Sequence, residues 1–194
     1  MSVFMHKYID RIVNVVGDGN CGFWVILTLL GKGEDDHKLV RHELIEELMN
    51  HKDSYTRVFG DEAIFELVHE ALVPWLGVYA PTSKWMRFPK MKHLIACAYD
   101  MVCIDLTHYG FSETFFSLCT TPPTNPNDRI MCHFVQVYLK PGCPIPPTSQ
   151  EWALHHTEAA DTWPNRFVDM MHDFERETSV DVSTKESDID GCLP

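Results

Sequence analysis

A glycine-rich loop that leads directly into an apolar run is the feature that most constrains the fold. Residues 15–24 read VVGDGNCGFW, and the chain stays apolar after them. Glycines on both sides of Asp18 favour a tight, non-helical loop, and the run over 22–30 predicts a buried helix that ends at Gly31. Cys21 therefore stands where a loop enters a hydrophobic core.

The size of the chain suits one domain. Its 194 residues are 45% apolar, which is enough for one core and too little for two. After residue 177 the sequence becomes polar and acidic with few apolar anchors. We therefore expect one domain over residues 1–177 and a disordered acidic tail over 178–194.

The charge excludes some classes of partner. With 16 basic and 28 acidic residues, the formal charge is −12, whereas nucleic-acid binding requires clustered Lys and Arg. No apolar run approaches membrane-spanning length, and the first ten residues do not resemble a secretory signal. Seven cysteines at irregular spacing favour a reduced thiol state. We expect a cytoplasmic or nuclear protein with a basic protein partner and with neither nucleic acid nor membrane.

The spacing of the cysteines argues against a metal centre. No C-x-x-C pair is present, and this pair is the usual core of a zinc knuckle. The histidines are scattered along the chain, and the adjacent pair at 155 and 156 would point to different faces of a helix. The sequence therefore predicts no metal and no other cofactor.

Hydrophobic periodicity predicts helices packed on a small sheet. Val40, Leu44 and Leu48 form the apolar side of one helix, with Arg41 and the neighbouring glutamates on the other side. Residues 130–139 read as one strand, with His133 near its beginning. The other expected strands cover 11–16 and 101–107, and the other expected helices cover 64–72, 91–99, 150–160 and 165–177.

A thiol at a helix N-terminus is a candidate nucleophile. Free backbone N–H groups and the helix dipole stabilise the thiolate, but by only about 0.3–1 kcal/mol, which is less than one pKa unit. A nearby imidazole is the usual further activator. The backbone N–H groups from Asp18 to Cys21 are candidates for an oxyanion hole, in which one donor supplies about 2.7–4 kcal/mol.

These blocks resemble a known family. The sequence DGNC before an apolar helix, and HF at 133–134 opening an apolar strand, are similar to the two signature blocks of the ovarian tumour (OTU) family of cysteine proteases. The match covers most of residues 11–170 and is closest to OTU-like proteins of plant and fungal genomes, often within Mutator-like transposable elements. The resemblance implies an α/β (α+β) class of papain-like OTU fold, with a small central β-sheet between helical layers. It also implies a deubiquitinase that acts on ubiquitin or ubiquitin-like modifier conjugates.

The resemblance also assigns roles to residues. It implies Cys21 as the nucleophile, His133 as general base and acid, and Asp18 as a support for the loop and its oxyanion hole. His108 is the alternative to His133. Candidates for contact with the substrate are Trp24, Trp85 and Phe134.

Two departures from the family pattern keep alternatives open. Val135 occupies the position where many members carry an Asp or Asn that orients the histidine ring, so the third member is Asp10, Asn14 or Asp18, or the site is a Cys–His dyad. Trp24 occupies a position that is mostly Arg in relatives. The alternative function is therefore a weak or inactive OTU fold that binds ubiquitin or another protein. A protease with unrelated substrates is a third possibility.

Overall fold

The structure is a computed structural model that describes residues 3–32, 37–106, 111–124, 130–132 and 136–190. It is 54% helical and 10% strand, which confirms the mixed α+β class at this coarse level. The helices are α1 Cys21–Leu29, α2 His37–Asn50, α3 Lys52–Phe59, α4 Glu62–Leu72, α5 Met91–Tyr99, α6 Gln150–His155 and α7 Val168–Asp190. The strands are β1 Ile9–Val13, β2 Val102–Asp105, β3 Glu113–Phe115, β4 Ile130–Cys132 and β5 Gln136–Leu139.

Among the residues that the structure describes, the strands form two small sheets. In one, β1 pairs antiparallel with β5, and in the other β2 lies between antiparallel β3 and parallel β4. Residues 130–132 and 136–139 of the strand predicted over 130–139 are strand, and residues 133–135 lie outside the described part of the chain. An apolar run shows that a segment is buried but does not identify the strand with which it pairs.

The helices supply most of the hydrophobic core. The predicted stripe of Val40, Leu44 and Leu48 is buried, and α2 packs on α1, α4 and α5. The placement of Arg41 on the polar side is wrong, since this residue is 0% exposed. Inside the core its guanidinium donates hydrogen bonds to two backbone carbonyl oxygens and one side-chain amide oxygen, which take the place of water. A buried cation requires such acceptors.

The last helix extends beyond the expected domain end. We expected regular structure to end at Glu177, but α7 continues to Asp190. No Pro or Gly interrupts this segment, so nothing in its backbone forces the helix to end earlier. The division into a domain over 1–177 and a tail over 178–194 stays a prediction. Within the described residues, none of the helices has both the length and the apolar character needed to cross a membrane.

Candidate active site

Cys21 is the first residue of α1, as the sequence predicts, and it is partly buried. In the loop that precedes it, residues 17–20, Asp18 and Gly19 pack closely against the segment that begins at Ala80. Gly19 has φ +84°, and a Cβ atom there would lie 2.6 Å from the carbonyl oxygen of Ala80 and 2.7 Å from Nε1 of Trp85. Only glycine fits this position, because both the conformation and the contact exclude a side chain.

Asp18 organises this loop from within. Its carboxylate accepts hydrogen bonds from the backbone N–H of Asn20 at 2.7 Å, from the Asn20 side-chain amide at 3.2 Å and from Nε1 of Trp24 at 3.1 Å. Burial acts to raise the pKa of Asp18, but these bonds together outweigh burial and lower it. The carboxylate is therefore ionised at neutral pH, and its oxygens are engaged in hydrogen bonds from Asn20 and Trp24.

A buried arginine holds the loop from the other side. Nη2 of Arg41 donates to Oδ1 of Asn20 at 2.7 Å and to the Lys84 carbonyl oxygen at 2.9 Å, while Nη1 donates to the Ala71 carbonyl oxygen at 2.5 Å. The guanidinium also lies 3.7 Å from the ring centre of Phe23. Burial lowers the pKa of Arg41 to about 10, and the nearby Asp18 carboxylate opposes this shift. Arg41 is thus a cation that links α2, α4 and the loop before Cys21.

Sequence reasoning missed both Arg41 and Asn20. A signal was present, because Arg41 precedes Leu44 by three residues and Leu48 by seven, which is the spacing of a single helix face. We nevertheless expected Arg41 on the exposed side of the helix, because a charged side chain is usually solvated. Asn20 gave no such signal, since an Asn before a helix usually caps backbone N–H groups, whereas this side chain makes no cap hydrogen bond.

Lys84 fixes the segment against which the loop packs. Its ammonium group is buried and donates to the backbone carbonyl oxygen of Glu70 at 2.8 Å and to the Glu70 carboxylate. The carbonyl of Lys84 itself accepts from Arg41. A chain of polar contacts therefore runs from α4 through Lys84 and Arg41 to the loop.

The described surroundings of Cys21 do not activate its thiol. Burial raises the pKa of Cys21, and the Asp18 carboxylate raises it further. The backbone N–H groups of Gly22 and Cys21 lower the pKa, but burial and the Asp18 carboxylate together outweigh them. A thiolate at neutral pH therefore requires a further cation near the sulfur.

The residues expected to supply that cation lie outside the described part of the chain. These are His133 and its alternative His108, together with the neighbouring Phe134 and Val135. Of the candidates for a third member besides Asp18, Asn14 follows β1 and lines a groove beside α1, while Asp10 lies on β1 at the irregularity between Ile9 and Arg11.

The two candidate substrate-binding tryptophans contact the loop. Trp24 is half-buried, donates to Asp18 and packs against the ring of His37 at 4.7 Å between ring centres. It lines the same groove as Asn14, a cavity of about 240 Å³. Trp85 is 49% exposed and donates through Nε1 to the Ala80 carbonyl oxygen at 3.0 Å. Part of each indole therefore supports the loop, and the exposed face of Trp85 is open to a partner.

An exposed apolar segment adjoins the loop. We call residues 75–79 the apolar rim. In this rim Leu76 is 90% and Val78 83% exposed, and Trp75 and Tyr79 are also exposed. The rim leads into Ala80, whose backbone N–H donates to the Asp18 carbonyl oxygen at 2.8 Å. Adjacent exposed apolar side chains of this kind mark binding surfaces, and the sequence had given no indication of this one.

Comparison of the chain with protein-family models, with curated proteins and with solved structures finds no match.

Proposed function

We propose that this chain is a cysteine hydrolase with the papain-like OTU fold, which cleaves the isopeptide bond after the C-terminal Gly of ubiquitin or a ubiquitin-like modifier. The observation that carries the proposal is the position of Cys21. Its thiol is the first side chain of α1, and the backbone N–H groups of Gly22 and Cys21 hydrogen-bond to its sulfur and partly offset the rise in pKa that burial causes. The resemblance of the DGNC and HF blocks supplies the family and the substrate class.

In this proposal His133 removes the proton from Cys21, and the sulfur attacks the carbonyl carbon of the scissile bond. The negative charge then resides on the carbonyl oxygen. The backbone N–H of Asn20 already donates to the Asp18 carboxylate. The backbone N–H groups of Gly19 and Cys21 are therefore the candidate donors to this oxyanion. His133 returns the proton to the leaving lysine amine, and water hydrolyses the remaining thioester.

The surface around the loop suits a modifier with a basic, extended C-terminal tail. The chain is strongly acidic overall, at −12, which favours approach of such a tail. The apolar rim and the exposed face of Trp85 provide apolar area beside the nucleophile. We place the protein in the cytoplasm or nucleus, where such conjugates occur.

A ubiquitin probe with a thiol-trapping C-terminus tests the proposal. The wild-type chain should form a covalent adduct, and Cys21→Ala should form none. Cys143→Ala is the matched control, because this thiol is buried elsewhere and should leave the adduct unchanged. Loss of the adduct in His133→Ala but not in His108→Ala would assign the imidazole. An adduct that persists in Cys21→Ala would refute the proposal.

The raised pKa of Cys21 favours a second candidate, a catalytically weak or inactive OTU fold that binds ubiquitin or another protein. Val135 is consistent with this alternative, since it cannot orient an imidazole. Reversible ubiquitin binding by both wild type and Cys21→Ala, without any adduct, would support the binding module. Binding together with an adduct in the wild type would support the enzyme.

A further inference from the structure

Three metal-ligating side chains converge at a place separate from the Cys21 loop. Glu47 on α2, Cys97 on α5 and Cys119 in the turn after β3 each offer one donor atom, and these atoms all lie within 4.8 Å of one another. The two thiols are 22 positions apart in the chain, a spacing that matches none of the usual zinc motifs. Only the packing of α5 against α2 and β3 brings them together.

The same three residues line a cavity of about 40 Å³, which is large enough for a water molecule or an ion. His51 and His155 also line it and provide further possible ligands. The side chain of Glu47 is 17% exposed, so the cavity has access to solvent. The structure therefore offers donors, space and an entry path together.

Neighbouring groups already orient these donors. The backbone N–H of Leu118 donates to Sγ of Cys97 at 3.2 Å, and the Tyr55 hydroxyl donates to Oε1 of Glu47 at 2.8 Å. Such outer contacts are typical of metal sites, where they fix the ligands and stabilise thiolates.

We propose that Glu47, Cys97 and Cys119 form a Zn²⁺ site. Two thiolates and a carboxylate suit zinc, which prefers sulfur and nitrogen donors in a tetrahedral arrangement. Zn–S bonds of about 2.3 Å and Zn–O bonds of about 2.1 Å place tetrahedral donors roughly 3.4–3.8 Å apart, so closure requires shifts of about 1 Å or less. Binding releases one proton from each thiol, and water or the imidazole of His51 or His155 takes the fourth position.

The site is tested by titrating the reduced, metal-free full chain with zinc chloride against a chromogenic chelator. The wild type should bind one zinc ion per chain. Cys97→Ser and Cys119→Ser should each weaken zinc binding by at least about 100-fold. Removing a residue that binds the metal directly should cost more affinity than removing a residue that only orients a ligand. Cobalt(II) in place of zinc should give thiolate-to-metal charge-transfer absorption in the wild type and lose it in Cys119→Ser.

Two controls separate this site from the other thiols. Cys143→Ser and Cys21→Ala should keep wild-type zinc affinity, since neither residue belongs to the cluster. If buried Cys97→Ser fails to fold, the partly exposed Cys119→Ser and Glu47→Gln decide the question, with circular dichroism as the check on folding. Absence of zinc binding, or unchanged affinity in Cys119→Ser, would overturn the proposal. If the protein binds no zinc and forms a Cys97–Cys119 disulfide, the zinc site would be refuted and the two thiols would be a redox pair.

Discussion

Nη2 of Arg41 donates a 2.7 Å hydrogen bond to Oδ1 of Asn20, and this bond joins the N-terminal half of α2 to the residue that precedes Cys21. Asn20 in turn donates to Asp18 through both its backbone and its side chain. The conformation of the loop is therefore set by a cation in the core rather than by the loop sequence alone.

Arg41→Met should destabilise the protein by about 2–4 kcal/mol. The substitution keeps much of the buried volume but leaves the acceptors on Asn20, Ala71 and Lys84 without their donor, and each such loss costs about 1–3 kcal/mol, partly relieved by relaxation. Chemical denaturation measures the free energy of unfolding. Lys38→Met, on the exposed face of the same helix, is the control and should change stability by less than about 0.5 kcal/mol. Equal effects of the two substitutions would contradict the role given to Arg41.

Gly19→Ala should impair both folding and the reaction with the ubiquitin probe. The left-handed backbone costs a side chain about 1–2 kcal/mol, and the added Cβ would also lie too close to Ala80 and Trp85, so the loop must move. Gly60→Ala is a matched control, because Gly60 has φ +76° with open space around it and should show only the conformational cost. The rate of adduct formation is measured for both variants at equal folded fraction. The ratio of the two rates then reports the effect of the displaced loop, separate from the loss of stability. A Gly19→Ala chain that reacts like Gly60→Ala would show that the close contact has no functional effect.

The pH dependence of Cys21 alkylation should depend on His133. In His133→Ala, burial and the Asp18 carboxylate should keep the thiol pKa above its ordinary value, so reaction with iodoacetamide should accelerate only in alkaline solution. In the wild type, an imidazolium beside the sulfur should move the midpoint to lower pH. Peptide mass spectrometry follows Cys21 separately from the other thiols. Identical profiles for the two chains would argue for the binding-module alternative.

His93 should make stability depend on pH below neutrality. Burial lowers its pKa to about 4, and its ring contacts the Phe116 carbonyl oxygen and the Ser149 hydroxyl, each at 3.0 Å. The unfolded chain, with a His pKa near 6.5, therefore binds the proton first as the pH falls. The stabilisation is complete above about pH 6.5 and is lost progressively towards pH 4, by about 3 kcal/mol in total.

Denaturation of His93→Gln between pH 4 and pH 7 tests this prediction. The variant should lose most of the slope, because glutamine keeps polar groups but does not titrate. The exposed His42→Gln should retain the slope of the wild type. A slope in His93→Gln equal to that of the wild type would assign the pH dependence to other groups.

Local signals predicted several elements well. Helix α5 covers Met91–Tyr99, the segment expected from its apolar content after Pro89, and α1 begins at Cys21 and ends before Gly31. These boundaries follow glycine and proline, which act within a few positions of the chain. Helix α3 and strand β3 were not predicted, because both are short and their identity depends on contacts with distant segments.

The sequence by itself determined the mixed α+β class, the helix that begins at Cys21 and the glycines of the loop before it, because these features arise from backbone conformation and local hydrophobic periodicity. The tertiary structure decided which strands pair, placed Arg41 in the core and assembled Glu47, Cys97 and Cys119. The physical reason is that the identity of a charged or thiol side chain does not by itself fix its place in the fold. Whether it is buried depends on acceptors and donors that distant segments bring to it, and these become adjacent only when the chain folds.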